Sequence, residues 1–164
     1  MKTQNILIPT DFSIESLNAV AGLLQKRPEQ KFNISLVHFM QLSDSITELL
    51  MLSRRNREYQ YISPEFEAAM RQIRKNNPEQ VALIHTEFFY GSTVALFKNY
   101  LEAKEVDLIV TLQGHTYAKL NQNSIDPSLL FLRGGCQLLS LSPALIQPVT
   151  KVTVKQPELE LEEA

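Results

Sequence analysis

The chain holds a single cysteine, Cys136, among 164 residues. That excludes an internal disulfide and suits a reducing compartment, so a cytoplasmic location is expected. No apolar run approaches the roughly 20 residues that a bilayer span requires, which leaves no case for a membrane protein. The net charge of -2 provides no broad positive field, so neither nucleic acid nor an acidic membrane surface is an expected partner. His38, His85 and His115 are scattered, with no His-x-x-x-His pair and no Cys/His cluster. Metal binding therefore has no motif behind it, and no cofactor is expected. No Gly-x-Ser-x-Gly nucleophile elbow occurs either. The opening Met1-Lys-Thr-Gln-Asn5 runs straight into an apolar segment, so no secretion signal is expected.

Against these absences stands an ordinary globular composition, 44% hydrophobic, in a chain long enough for one well-buried core. Ile6 to Pro9 is a short apolar run, read as a buried strand. Ser13 can cap a following helix whose Leu17, Val20, Ala21 and Leu24 share one face. Phe32 to Phe39 predicts a second strand, and Ser45 to about Leu52 a helix. A polar stretch with Arg54, Arg55 and Arg57 follows, read as a solvated loop. Ser63-Pro64 opens another helix, with Phe66, Ala69, Met70 and Ile73 on its apolar face. Val81 to Phe89 predicts a third strand, and Gly91 to Lys104 a helix carrying Val94, Phe97 and Leu101. Val106 to Leu112 and Gln137 to Leu141 complete five strands. Strands alternating with helices argue for an α/β fold, a parallel sheet covered on both faces and joined by right-handed crossovers. The domain is expected to span residues 1–142. Residues 143–164 form a C-terminal tail, a loosely alternating segment from Val149 to Lys155 followed by an acidic, frayed end.

Two segments carry a family resemblance. The first strand ends Pro9-Thr-Asp-Phe-Ser13, and the fourth reads Val106-Asp-Leu-Ile-Val-Thr-Leu-Gln-Gly-His115, at an unbroken distance from Cys136 and the last strand. Together with Gly91 these resemble the universal stress protein domain over about residues 1 to 142. The resemblance implies a five-stranded parallel sheet in the order 3-2-1-4-5, of the adenine nucleotide alpha hydrolase-like type. It also implies an acidic residue beside a nucleotide ribose, here Asp11, and a phosphate loop of pattern Gly-x2-Gly-x9-Gly-(Ser/Thr). In this sequence that pattern falls on Thr111, Gly114, Ser124 and Ile125, so only Gly114 survives.

The missing glycines matter because backbone N–H groups must come close to the anion, often at positive backbone dihedrals. Side chains at Thr111 and Ser124 block that approach, and Ile125 removes the hydroxyl. Asp126-Pro127 reads as a helix N-cap and first helical position, so a carboxylate would sit where a phosphate should. Thr116, Lys119 and the Ser124 hydroxyl are the groups that could compensate. Asp11 itself is expected to brace its own turn. His38 is expected to be structural, His85 exposed or pairing, and Cys136 a small buried residue.

The resulting expectation is a non-enzymatic protein that does not bind ATP. It would act by dimerising through the strand at 137–141 and by contacting other proteins in a stress response. The alternative is a small-ligand or nucleotide sensor with a rebuilt pocket at the ends of strands 1 and 4, around Asp11, His38, Gly114, His115 and Ser124. A nucleotide hydrolase is disfavoured because Pro9-Thr-Asp-Phe-Ser13 carries no glycine loop.

Overall fold

The computed structural model describes residues 3–41, 61–120 and 124–142. The expected helix at 45–52, the arginines at 54, 55 and 57 and the tail at 143–164 lie outside these residues. Five strands form one parallel sheet: β1 (Thr3–Pro9), β2 (Lys31–Met40), β3 (Val81–Tyr90), β4 (Leu108–Leu112) and β5 (Leu138–Leu141). The strand order is β3-β2-β1-β4-β5. All four pairings are parallel, as the continuous apolar runs require of strands covered on both faces.

The helices are α1 (Asn18–Lys26), α2 (Pro64–Asn76), α3 (Val94–Ala103) and α4 (Ser128–Arg133). Each start has a local cause. Ser63 accepts the Phe66 N–H at the head of α2, which also carries Pro64 in its first turn, and Thr93 accepts the Leu96 N–H before α3. Ser13 caps a single 3₁₀ turn, Ile14–Leu17, which leads into α1. α4 begins at Ser128, one position later than the sequence suggests, with Pro127 at its N-cap. Asp126 still serves that end, because its carboxylate accepts the Ser128 N–H at 3.0 Å.

Alternation along the strands sends side chains into two cores. On one face Ile6, Ile8, Ile34, Leu36, Leu108 and Val110 pack against Leu17, Val20 and Leu23 and against Phe66 of α2. On the other face Leu7, Val37, Phe39 and Ile109 meet Phe97 and Leu101 of α3 and Leu130 and Phe131 of α4. β1 is central, and it is the strand from which the chain first winds one way to β2 and later the other way to β4. The carboxyl ends of β1 and β4 thus flank the crevice where a doubly wound sheet takes ligands. Among the described residues, no helix is long and apolar enough to cross a membrane.

Candidate functional site

Past the end of β1 the backbone turns through Phe12 at φ 63, a left-handed conformation that is costly for a bulky residue. Local bonds hold it there. The Phe12 N–H donates to Thr10 Oγ1, and the Ser13 N–H donates to Asp11 Oδ1. The turn buries the Phe12 ring against His38, Phe66 and Phe88, at centroid distances of 5.7, 5.5 and 5.4 Å.

Asp11 does more than brace this turn. Its Oδ1 also accepts the Ser13 hydroxyl at 2.5 Å, while Oδ2 accepts the Ala118 N–H at 2.8 Å and lies 3.3 Å from His115 Nε2. Burial works against ionisation, but the bonds from Ser13 and Ala118, with His115 alongside, hold the carboxyl below its usual range. Asp11 thus braces its own turn, as expected, and in addition contacts the loop after β4. All four of these partners belong to the protein itself.

Gly114 sits in the turn after β4 at φ 76, and a Cβ there would meet nothing within 4 Å. Its glycine character answers the backbone turn and not a close approach to another group. The chain then crosses the β1 end at Ala118 and reaches the β2 end, where Ser124 forms an antiparallel bridge with Met40 and the Ile125 N–H donates to the Phe39 carbonyl at 3.0 Å. The segment that would carry a phosphate loop is thus stitched across three strand ends.

Ser124 is buried, and its hydroxyl joins a short chain of bonds. His38 Nδ1 lies 2.8 Å from the Thr10 carbonyl, so that nitrogen carries the proton. In the neutral ring Nε2 then accepts the Ser124 hydroxyl at 2.7 Å, and Ser124 Oγ accepts the Leu120 N–H at 2.9 Å. Burial holds the His38 pKa below the ordinary value, against the opposing pull of the Thr10 carbonyl and Asp11. Sequence reading placed His38 at a strand end but could not pair it with a serine 86 positions away.

Beside these groups lies a cavity of about 560 Å³. His38, Ser124 and the loop from Gly114 to Lys119 line one side of it. Phe39, Ile125, Phe131, Leu132 and Leu138 supply apolar walls, and Thr111, Asp126 and Ser140 complete much of the rest. The structure so brings together His38, Gly114, His115 and Ser124 from the expected set, and turns Asp11 into the loop that closes one end. Tyr117 lines the same side, and burial raises its phenol to about 12. Cys136 lies apart, its thiol half-buried, 3.8 Å from the Val106 carbonyl and raised in pKa by burial. Among the described residues, no group of three or more His, Cys, Asp or Glu side chains is placed to hold a metal ion.

A second polar cluster escaped the sequence reading except for His85. Glu87 on β3 binds His85 at 2.8 Å, Lys104 at 3.2 Å and the Tyr100 hydroxyl. The His85 bond, with those from Tyr100 and Lys104, outweighs burial and holds Glu87 at about 2. The i, i+2 spacing of His85 and Glu87 on one strand face was the available signal.

The sequence matches no protein-family model and no curated protein. Solved structures do match. Universal stress protein UspA from Lactobacillus plantarum is 18% identical with a TM-score of 0.54, covering 86% of this chain and 99% of that one. The hypothetical protein PH0823 is 17% identical with a TM-score of 0.51, covering 85% of this chain and 95% of that one. At such identities the likeness speaks for the backbone arrangement, and five parallel strands in the order β3-β2-β1-β4-β5 agree with it. The chain has the fold of these universal stress protein structures, a five-stranded parallel α/β sheet in the order β3-β2-β1-β4-β5.

Proposed function

We propose that this protein is a non-enzymatic relative of the universal stress proteins that does not bind ATP, acting through homodimerisation and contacts with other proteins in a stress response. The observation that carries the proposal is the bonding of Ser124. Where a phosphate loop needs a bare glycine, this side chain is buried and holds both His38 and the Leu120 N–H. Anchoring of Asp11 by Ser13, Ala118 and His115 supports the same reading, because a ribose would have to displace those partners. The Asp126 carboxylate at the head of α4 adds repulsion toward a phosphate. Titration calorimetry with magnesium ATP at physiological salt is expected to show no binding and no turnover; micromolar affinity overturns the proposal.

The dimer is proposed to form along β5, which pairs only with β4 among the described strands and carries no charge on its outer edge. Leu138 is exposed there, whereas Leu139 packs toward the core. Sedimentation is expected to show a dimer at micromolar concentration, shifted to monomer by Leu138→Lys. A monomeric wild type sinks the dimer.

A second reading, a small-ligand sensor, is favoured by one specific observation: a cavity of about 560 Å³ beside the crevice, within the roughly 300–1,000 Å³ usual for ligand sites.

A further inference from the structure

The helix α4 has only six residues, so it roofs only part of the sheet face beneath it. Beyond its reach the register of β4 with β5 sets Thr111 beside Ser140. Partners in a parallel ladder project to the same face, so the two hydroxyls are neighbours. Both line the cavity. Neither has a hydrogen-bond partner among the described residues.

Several other polar groups around the cavity are already engaged, while Thr116 and Lys119 are exposed to solvent. His38 and Ser124 bind each other, His115 faces Asp11, and the Ser128 hydroxyl donates to Asp126. The walls are Phe39, Ile125, Phe131, Leu132 and Leu138. Lys119 is the one lysine or arginine among the lining residues, and Asp126 offsets it. An anion would find no buried cation and would meet a carboxylate, whereas an uncharged molecule loses nothing by that balance.

The geometry points to a site for an uncharged, largely apolar small molecule carrying one hydroxyl or carbonyl group. Its body would lie against Phe39, Phe131 and Leu138, and its polar group would bind Thr111 and Ser140. This rests on the second reading above and gives it a ligand class. The exposed side chains of Leu132 and Leu138 stand at the cavity wall, so an apolar body entering there covers surface that water now wets.

Three probes of one skeleton test the assignment on the full-length chain by calorimetry: 2-naphthol, naphthalene and naphthalene-2-sulfonate. The expected result is one-to-one binding of 2-naphthol, at least tenfold tighter than the sulfonate. Thr111→Val combined with Ser140→Ala is expected to weaken 2-naphthol by about five- to tenfold, the worth of a neutral hydrogen bond, and to leave naphthalene unchanged. Ser140→Phe fills the floor and is expected to abolish binding of 2-naphthol and naphthalene. The Thr111→Val and Ser140→Ala pair preserves shape and so reports even where the larger substitution disturbs folding. Sulfonate binding as tight as 2-naphthol leaves a ligand site in place but overturns its chemistry. Binding of 2-naphthol that ignores both hydroxyls overturns the assignment of Thr111 and Ser140. Binding of none of the three overturns the cavity reading together with this one, while the ATP result stands on its own titration.

Discussion

Replacing Ser124 by alanine removes the middle of a chain of bonds that runs from Leu120 through Ser124 and His38 to Thr10. Two groups lose partners. His38 Nε2 is buried, so its orphaned lone pair bears nearly the whole desolvation cost, about 1–3 kcal/mol. The Leu120 N–H is half-buried and can reach water, so its share lies near the lower limit. Together the loss is about 2–4 kcal/mol, a large part of a typical domain stability of roughly 5–15 kcal/mol. Urea unfolding followed by far-ultraviolet circular dichroism measures it, with an unchanged m value marking a loss of stability and not of compactness. His38→Phe completes a double-mutant cycle, because neighbouring Phe12 and Phe88 already surround that ring. With phenylalanine at 38, Ser124→Ala orphans only the Leu120 N–H, so the cycle is expected to give a coupling of about 1–3 kcal/mol. Single losses under about 1 kcal/mol, or additivity within about 0.5 kcal/mol, refute the view that Ser124 is fastened in place. The pH dependence adds a sign. His38 has a folded pKa below its unfolded value of 6.5. Its contribution is therefore present above pH 6.5 and is lost as the pH falls from there toward the lower folded value. Ser124→Ala is expected to change that slope.

Two further outcomes follow from the carboxylates. Asp11→Ala removes charge-assisted bonds from Ser13 and Ala118, so the expected loss is about 2–3 kcal/mol, above the usual range for a cap alone of about 0.5–2 kcal/mol. Hydrogen exchange should accelerate at Ala118; a stability loss without that acceleration would mean that Asp11 braces only its own turn. Glu87 is held at about 2 against 4.5 when unperturbed, so its stabilisation is present above pH 4.5 and disappears as the pH falls from 4.5 toward 2. After allowance for solvent around Lys104, half-exposed at the surface, this amounts to about 1–2 kcal/mol. Glu87→Gln is expected to flatten the acid limb of the stability curve, and an unchanged limb would show that the cluster adds nothing.

The five strands were legible as short apolar runs alternating with helices, while their order came from the family resemblance and not from the runs themselves. Positions of helix ends were less so. α3 starts at Val94 and not near Gly91 because Thr93 supplies the cap, and the first helix begins as a 3₁₀ turn at Ile14. In the candidate site, the family pattern placed Gly114, His115 and Ser124 on one loop. What no pattern along the chain could give was pairing across strands. His38 with Ser124, Thr111 with Ser140, and Glu87 with Tyr100 are each set by sheet register and helix docking, not by spacing. Asp11 was read as the brace of its own turn, and the Ala118 bond extends that role across 107 positions.

That long reach has a consequence for how such sequences are sorted. Asp11 fastens the start of the chain to a loop that is made only after four strands exist, so it acts as a clasp between early and late segments. A residue with that duty is retained by folding whether or not a nucleotide ever arrives. An acidic residue after the first strand therefore cannot serve as a marker of nucleotide binding among proteins of this architecture. On the proposed reading the informative position is the one occupied here by Ser124, where a serine bonded to His38 stands in place of the glycine of the phosphate-loop pattern.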